Sequence, residues 1–330
     1  MFTRPEELTD ADVAEAVAAG WGVRADEIGY AAVGFGSHHW RITAMGTHRF
    51  ATVDDLTAKR WSADEPLDRP RSRLIAALTT ARALSDAGLA FVVAPLPSRD
   101  GEIVRPIGER YAVAVYPFVE GTTHAWGPYP TDAERDAVVD LLTVLHRAPA
   151  SASSSALPDD LVIASRDALT AALGDTRTPW GPGPFAEPAR HLLGRHATAV
   201  RAALARYDAL AAGVAARRQR WVLTHGEPHR GNTIVTAVGT LLIDWDTTLF
   251  APPERDLWSL VDADPTVAER YAAATGVTPD GDALELYALR WELTDISIYV
   301  GEFRRPHRDT QDAGAAWAGL QAALEPPARG

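Results

Sequence analysis

Three side chains in one stretch of this chain have the types and spacing to handle a phosphoryl group. Glu227 and Asn232 lie in His225-Gly226-Glu227-Pro228-His229-Arg230-Gly231-Asn232, and Asp244 in Leu241-Leu242-Ile243-Asp244-Trp245-Asp246. A carboxylate can orient a hydroxyl and take its proton as the oxygen becomes a nucleophile. An amide and a second carboxylate, five and then twelve residues on, offer the hard oxygen ligands that Mg²⁺ prefers beside phosphate oxygens and water. Asp246 is either a further ligand, a supporting contact or a turn cap. His225 and His229 do not make a zinc helix. Gly226 and Pro228 oppose a helix, and the acid does not directly follow the first histidine.

Two kinds of segment must position these groups. From about Ile28 to Phe118 the pattern is strand-rich, with strands expected at Trp40 to Ala44, Arg49 to Val53, Phe91 to Leu96 and Tyr111 to Tyr116. Gly34-Phe35-Gly36-Ser37 opens a turn, and one helix is expected over Arg73 to Ala87, stopped by Gly88. After Thr131 the pattern is mostly helical. Helices are expected at Asp132 to Arg147, Asp159 to Leu173, Phe185 to Arg218, Glu254 to Val261, Thr266 to Thr275, Asp282 to Val300 and Thr310 to Leu324. A strand at Trp221 to Leu223 leads into the Glu227 loop. A hairpin of Thr233 to Val235 and Thr240 to Ile243 then joins Asn232 to Asp244. The Ala/Ser stretch from Pro149 to Ser155 reads as a loop.

Composition narrows the function classes. At 330 residues, 46% hydrophobic and 23% charged, the chain has enough material for a sizeable core and two lobes. A net charge of −12 argues against a nucleic-acid partner, which needs a basic face. No apolar run is long enough to span a membrane and no secretory leader pattern is present, so a cytoplasmic location is expected. Cysteine is absent, which removes disulfides, thiolate metal sites and thiol nucleophiles. Of the 32 basic residues only Lys59 is lysine, a compact point charge among arginines.

Taken in order, these features resemble the aminoglycoside phosphotransferase and choline kinase-like family, the small-molecule branch of the protein-kinase fold. The resemblance runs through the glycine turn, Val115-Tyr116-Pro117-Phe118-Val119-Glu120-Gly121 and Leu141-Leu142-Thr143-Val144-Leu145-His146. It continues through the Glu227 loop, Ile243-Asp244-Trp245-Asp246 and Pro253-Glu254-Arg255-Asp256-Leu257. It implies an α+β, bilobal architecture. A small antiparallel-sheet lobe with one helix (1–116) would bind nucleotide, a hinge (117–121) would follow, and a larger, mostly helical lobe (122–330) would hold the catalytic and acceptor sites. It further implies ATP or GTP as phosphate donor, Mg²⁺, and a small-molecule hydroxyl as acceptor. In that scheme Gly34, Gly36, Ser37 and His38 cover the phosphates, although a plain tight turn with an idle histidine reads equally well. Backbone groups near Pro117 and Val119 would take the base edge, Pro117 through its carbonyl alone because it has no N–H. His225, Arg255 and Asp256 would brace the loop. An aminoglycoside, aminocyclitol or nucleoside-type antibiotic is the acceptor expected by analogy, and the protein is expected to be a monomer or homodimer.

Two departures from the pattern matter. The family has Asp where Glu227 stands, so the carboxylate here sits one methylene farther out. In the third strand, where the family places a lysine paired with a glutamate of the next helix, this chain has Phe50-Ala51-Thr52-Val53, with Thr52 at the expected place. No glutamate lies in the Arg73 to Ala87 segment. Lys59 either folds back over the phosphates or is a surface lysine. A nucleotide-binding pseudokinase and a metabolic kinase with a choline- or sugar-type acceptor are the alternatives. Trp291, Glu292, Asp295, Tyr299 and Glu302 are spaced to place acids and aromatics on helical turns. They are either an acceptor wall or an ordinary half-buried helix.

Overall fold

Alternating residues in the first third of the chain divide a sheet into two buried faces. A computed structural model describes residues 1–325, and the last five residues of the expected C-terminal lobe lie outside them. Helix α1 (Asp10–Trp21) begins at Thr9, whose side chain and that of Asp12 each accept the other's backbone N–H. There follow β1 (Glu27–Ala31), β2 (His38–Ala44), β3 (Thr47–Asp55), α2 (Asp68–Asp86), β4 (Arg105–Ile107) and β5 (Tyr111–Pro117). The strands form one antiparallel sheet in the order β1-β2-β3-β5-β4. β2 and β3 turn through Met45 and Gly46, both at positive φ, a hairpin whose twist matches its strands.

Trp40, Ile42, Ala51, Val53, Val113 and Val115 face α1 with Leu8, Val13 and Val17. Ala112 and Ala114 point the other way, toward Leu74, Leu78, Ala81 and Leu84 of α2. That core also takes in Leu142, Leu145, Leu242 and Trp245 from later in the chain. The sheet lobe therefore carries two helices rather than the one expected. α1 lies before the segment in which strand alternation starts, and its signal is a cap rather than a long apolar stripe. Phe91 to Leu96 is not a strand of the sheet. Pro95 and Pro97 withhold N–H donors from this segment. It makes one parallel bridge, from Val92 to Leu242, instead.

The remainder comprises β6 (Thr122–Thr123), α3 (Asp132–Leu145), α4 (Arg166–Gly174), α5 (Ala186–Ala215), β7 (Val222–Thr224), β8 (Thr233–Thr236), β9 (Gly239–Leu242), β10 (Leu249–Ala251), α6 (Glu254–Ala263), α7 (Thr266–Thr275), α8 (Gly281–Phe303) and α9 (Gln311–Leu324). α4, α5, α8 and α9 pack around Leu169, Leu193, Leu204, Leu293, Val300 and Leu320. α5 runs unbroken for 30 residues. The helix expected from Asp159 starts only at Arg166. The Asp159 carboxylate instead accepts from Leu161 N, Tyr287 Oη and Arg290 Nη1, which holds the segment in an irregular loop. Ala150–Ser153 form one 3₁₀ turn in the expected loop, with Ala152 buried. β8 and β9 form a hairpin extended by β6, and β7 pairs with β10, which places the Glu227 loop between two small sheets. No helix among the described residues is long and apolar enough to cross a membrane.

The N-terminal segment fastens one lobe to the other. Phe2 N and Thr3 N each donate to the Asp312 carboxylate of α9 at 2.8 Å, while Tyr30 Oη of β1 donates to Met1 O at 2.7 Å. Trp40 sits under this arrangement, fully buried, with Nε1 donating to Asp10 Oδ1 of α1 at 2.7 Å. Replacing Trp40 by Ala removes the side chain that joins α1 to the sheet, and should destabilise the protein by about 3–5 kcal/mol in urea unfolding. A loss below about 1 kcal/mol would show that α1 is not integral to this lobe.

Candidate active site

The Glu227 loop is held by side chains that come from outside it. Gly226 has φ of 104°, and a Cβ there would lie 2.3 Å from the Arg255 guanidinium, so only glycine fits. Asp256, at the start of α6, accepts His225 N at 2.8 Å and Gly226 N at 2.5 Å. His146 Nε2 donates to the same carboxylate at 3.0 Å, and Tyr271 Oη donates to His146 Nδ1 at 2.8 Å. Burial favours the neutral acid, but the hydrogen bond from His146 and the nearby Arg255 charge outweigh it and hold the Asp256 carboxyl below the usual range. Arg255 Nη1 donates to Thr224 Oγ1 and Nη2 to Thr247 O. His225 donates through Nε2 to Ile243 O at 2.9 Å and accepts Glu227 N at Nδ1, so its ring is neutral, and burial lowers its pKa. Arg255, Asp256 and His225 are thus bracing groups.

The acid, amide and second acid come together around the hairpin. Glu227 is half-buried at the loop's tip. Asn232 O accepts Ile243 N at 3.0 Å, so the amide and Asp244 stand at adjoining ends of β8 and β9. Asp244 is left-handed, at φ 65° and ψ 60°, a strained backbone for a non-glycine residue that turns its carboxylate into the cleft. The protein packed around it, then the charges of Asp246 and Glu227, push its carboxyl well up. These are oxygen donors fit for a hard divalent cation, and Asn232 Oδ1 with the Asp244 and Asp246 carboxylates would hold it.

Lys59 is no surface lysine. From the loop after β3 its Nζ reaches Asp54 Oδ1 at 3.0 Å and Asp246 Oδ2 at 2.5 Å. Burial works against its charge, but Asp246 and Asp54 outweigh it, and the ammonium pKa rises. Burial likewise acts against Asp246, yet Lys59 holds that carboxyl low. The loop is pinned by Arg73 of α2, which donates to Lys59 O and to Glu65 and lies over the Trp61 ring. Asp54 went unassigned in the sequence, although strand alternation puts it on the face of Thr52. It also accepts Ser37 Oγ at 2.6 Å, tying the glycine turn to the lysine.

Gly34 and Gly36, both at positive φ, form an exposed turn over the cleft, and Phe35 contacts Tyr299 of α8 edge-on. His38 is not part of it. It alternates onto the α1 face of β2, where its ring bonds Tyr30 Oη, and burial lowers its pKa to about 4. The neighbouring His39 is the histidine on the cleft face, stacked on Phe50 and within reach of Thr52 Oγ1. Pro117 closes β5 opposite Arg49, and Val119 is half-buried just beyond it.

On α8, Trp291, Asp295, Tyr299 and Glu302 fall on one face. Glu292, about 100° round the helix, is exposed and lies off that row. His229 stands between the Trp126 and Trp291 rings, at 6.4 Å from each, and Trp258 backs Trp291. Burial, then the charge of Glu227, raises Asp295 to about 7. The rings of Trp126, His229, Trp291 and Trp258 therefore make an aromatic row beside the Glu227 loop, and Asp295 on the Trp291 face of α8 feels the charge of Glu227.

A sequence profile of the phosphotransferase enzyme family matches residues 50–287, which span the third strand, the Glu227 loop and most of the helical lobe. The chain belongs to that family. It is a small-molecule phosphotransferase with the kinase-like fold of the aminoglycoside phosphotransferases. Protein StrN of Streptomyces griseus is 32% identical over 255 residues, 74% of this chain and 75% of that protein. Among solved structures, spectinomycin phosphotransferase in complex with ADP and spectinomycin superposes with a TM-score of 0.74 at 15% identity, covering 97% of this chain and 98% of its own. Amicoumacin kinase, in complex with AMP-PNP, Ca²⁺ and Ami, gives 0.59 at 12% identity, over 96% and 94% of the two chains. A microcompartment-associated aminopropanol kinase gives 0.57 at 17% identity, over 96% and 95%.

In this phosphotransferase the bracing by Asp256 is open to test. Asp256→Ala leaves two buried N–H groups and His146 without their acceptor, and should cost about 3–5 kcal/mol of stability in urea unfolding. Asp256→Asn, which keeps one acceptor oxygen, should cost less. Equal, small losses for both would remove Asp256 from its bracing role.

Proposed function

We propose that this chain transfers the γ-phosphate of ATP or GTP to a hydroxyl of a small cationic molecule, with an aminoglycoside, aminocyclitol or nucleoside-type antibiotic as the leading acceptor. The observation that carries this reading is the placement of Glu227 beside the Asn232–Asp244 hairpin, with its charge reaching Asp295 of α8, the His229 and Trp291 rings in contact, and Phe35 of the glycine turn against Tyr299. Glu227 accepts the proton of the acceptor hydroxyl while that oxygen forms a bond to the γ-phosphorus. The bond from phosphorus to the bridging oxygen breaks, and that oxygen leaves with the nucleoside diphosphate. A carboxylate suits the late proton transfer of such a loose transition state. The added methylene of Glu brings the carboxylate out toward the acceptor from a loop tip that Asp256 holds back.

Mg²⁺, when bound, neutralises charge on the transferring phosphoryl group. Lys59 supplies the fixed positive charge that Thr52 lacks, its ammonium standing on the nucleotide side beside Asp54 and Asp246. Gly34 to Ser37 cover the phosphates with backbone N–H groups, and chain near Pro117 and Val119 takes the base. The trio Trp291, Asp295 and Tyr299 receives an aminated acceptor. Nucleotide complexes of spectinomycin phosphotransferase and amicoumacin kinase, which share the fold, support this reading. The aminopropanol kinase supports a second one, a metabolic kinase for a small amino alcohol, since the same acid-and-aromatic wall suits that acceptor too.

Phosphate transfer from ATP and from GTP, measured against aminoglycosides, aminocyclitols, nucleoside antibiotics and amino alcohols, separates these readings. Glu227→Gln should lower kcat by at least about 100-fold and leave nucleotide affinity intact. Lys59→Ala should raise the nucleotide KM and lower turnover together. Nucleotide hydrolysis that no acceptor stimulates, or a Lys59→Ala protein with unchanged nucleotide affinity and rate, would overturn the corresponding assignment. Asp295 gives a pH signature. Its raised carboxyl is neutral below about 7 and charged above. The KM for a cationic acceptor should therefore fall by about tenfold from pH 6 to pH 8. Asp295→Asn should flatten that dependence, and an unaltered profile would remove Asp295 from the acceptor site.

A further inference from the structure

The amide of Asn232 has two hydrogens and both are engaged. Nδ2 lies 3.0 Å from Glu227 O and 3.3 Å from His229 Nε2. A backbone carbonyl only accepts, so the nitrogen end of the amide must face Glu227. Its second hydrogen then points to His229 Nε2, which must carry a lone pair. This fixes the ring as the Nδ1–H tautomer. Nδ1–H is then a buried donor without a partner in the structure, a cost that the bond from Asn232 to Nε2 has to offset. Gly231 leaves room for the ring in this position, for a Cβ there would stand 3.2 Å from His229 Nδ1.

With both hydrogens spent, Oδ1 is the free end of the amide. Only that oxygen binds a hard cation, and a flipped amide would offer N–H groups instead. The flip would also set Oδ1 against the Glu227 carbonyl and against the imidazole lone pair.

We propose that His229 is a positioning residue that holds Asn232 with its oxygen toward the divalent cation, and so sets the cation affinity of the enzyme. The inference rests on the reading of Asn232 as a ligand given above. It assigns His229 a role in the cation site rather than in the acceptor pocket that its ring also borders. The carboxylate of Glu227, 3.8 Å from Nε2, is too far to take over the hydrogen bond.

Mn²⁺ binding in the presence of AMP-PNP, followed by electron paramagnetic resonance, reads this directly without turnover. His229→Leu should weaken Mn²⁺ binding by about 10–100-fold and leave metal-free nucleotide affinity and melting temperature near wild type. His229→Gln, whose amide oxygen can accept from Asn232, should restore most of it. Wild-type Mn²⁺ affinity in His229→Leu, with any loss confined to kcat or acceptor KM, would overturn the inference. If the leucine variant does not fold, nitrogen NMR of the wild-type imidazole decides instead. An unprotonated Nε2 supports the arrangement and a protonated one overturns it. Asn232→Ala separates the two layers. Unchanged Mn²⁺ affinity in that variant would sink the ligand reading of Asn232 itself, and the role of His229 with it.

Discussion

One carboxylate carries the geometry of the Glu227 loop. Asp256 takes the N–H groups of His225 and Gly226 and the Nε2 proton of His146, all inside the protein. Two adjacent backbone donors facing one buried acceptor leave that loop little freedom, because an alternative path would leave polar groups unpaired out of water. Arg255, the residue before it, bonds Thr224 and Thr247 on either side of the loop. Glu227 is then held through its backbone, its N–H on His225 Nδ1 and its carbonyl on Asn232 Nδ2, and those bonds do not use the carboxylate.

The same reasoning explains the charge balance of the cleft. Asp54, Asp244, Asp246 and Glu227 gather there with Lys59 as the one lysine. Burial first, and then repulsion from Asp246 and Glu227, pushes the Asp244 carboxyl well up. In the function proposed above, a cation bringing phosphate oxygens with it would relieve that repulsion. Arg in place of Lys59 would not be equivalent. A guanidinium fork is broader than an ammonium, and the space between Asp54 and Asp246 is filled by a point charge at 3.0 and 2.5 Å.

Much of the fold was legible because it rests on local signals. The hairpin of β2 and β3, α3, α7 and the β8–β9 hairpin follow from alternation, helical periodicity and turn residues. Where the reading failed, a distant partner overrode the local pattern. Asp159 and the residues after it have a helical pattern, but the Asp159 carboxylate bonds Tyr287 and Arg290 of α8. Phe91 to Leu96 is apolar enough for a strand, but Pro95 lacks an N–H, and the segment is held by a bridge to Leu242 and by Leu96 N donating to Val115 O. His38 was the candidate beside the glycine turn, but strand alternation sends it to the α1 core and puts His39, which was not a candidate, on the cleft face.

By itself the sequence determined the chemical inventory and its order. It carried the acid, amide and acid of the catalytic loop, the glycine turn, the missing strand lysine and the lone Lys59, all of which depend on residue type and short spacing. Only the tertiary structure decided which groups meet. Lys59 pairs with Asp246 across 187 positions of chain, and Asp54 joins them to Ser37. Asp295 comes to face Glu227 because α8 packs beside the loop. These are contacts between elements remote in sequence, fixed by how the two lobes and their helices bury their apolar faces, and no local spacing encodes them.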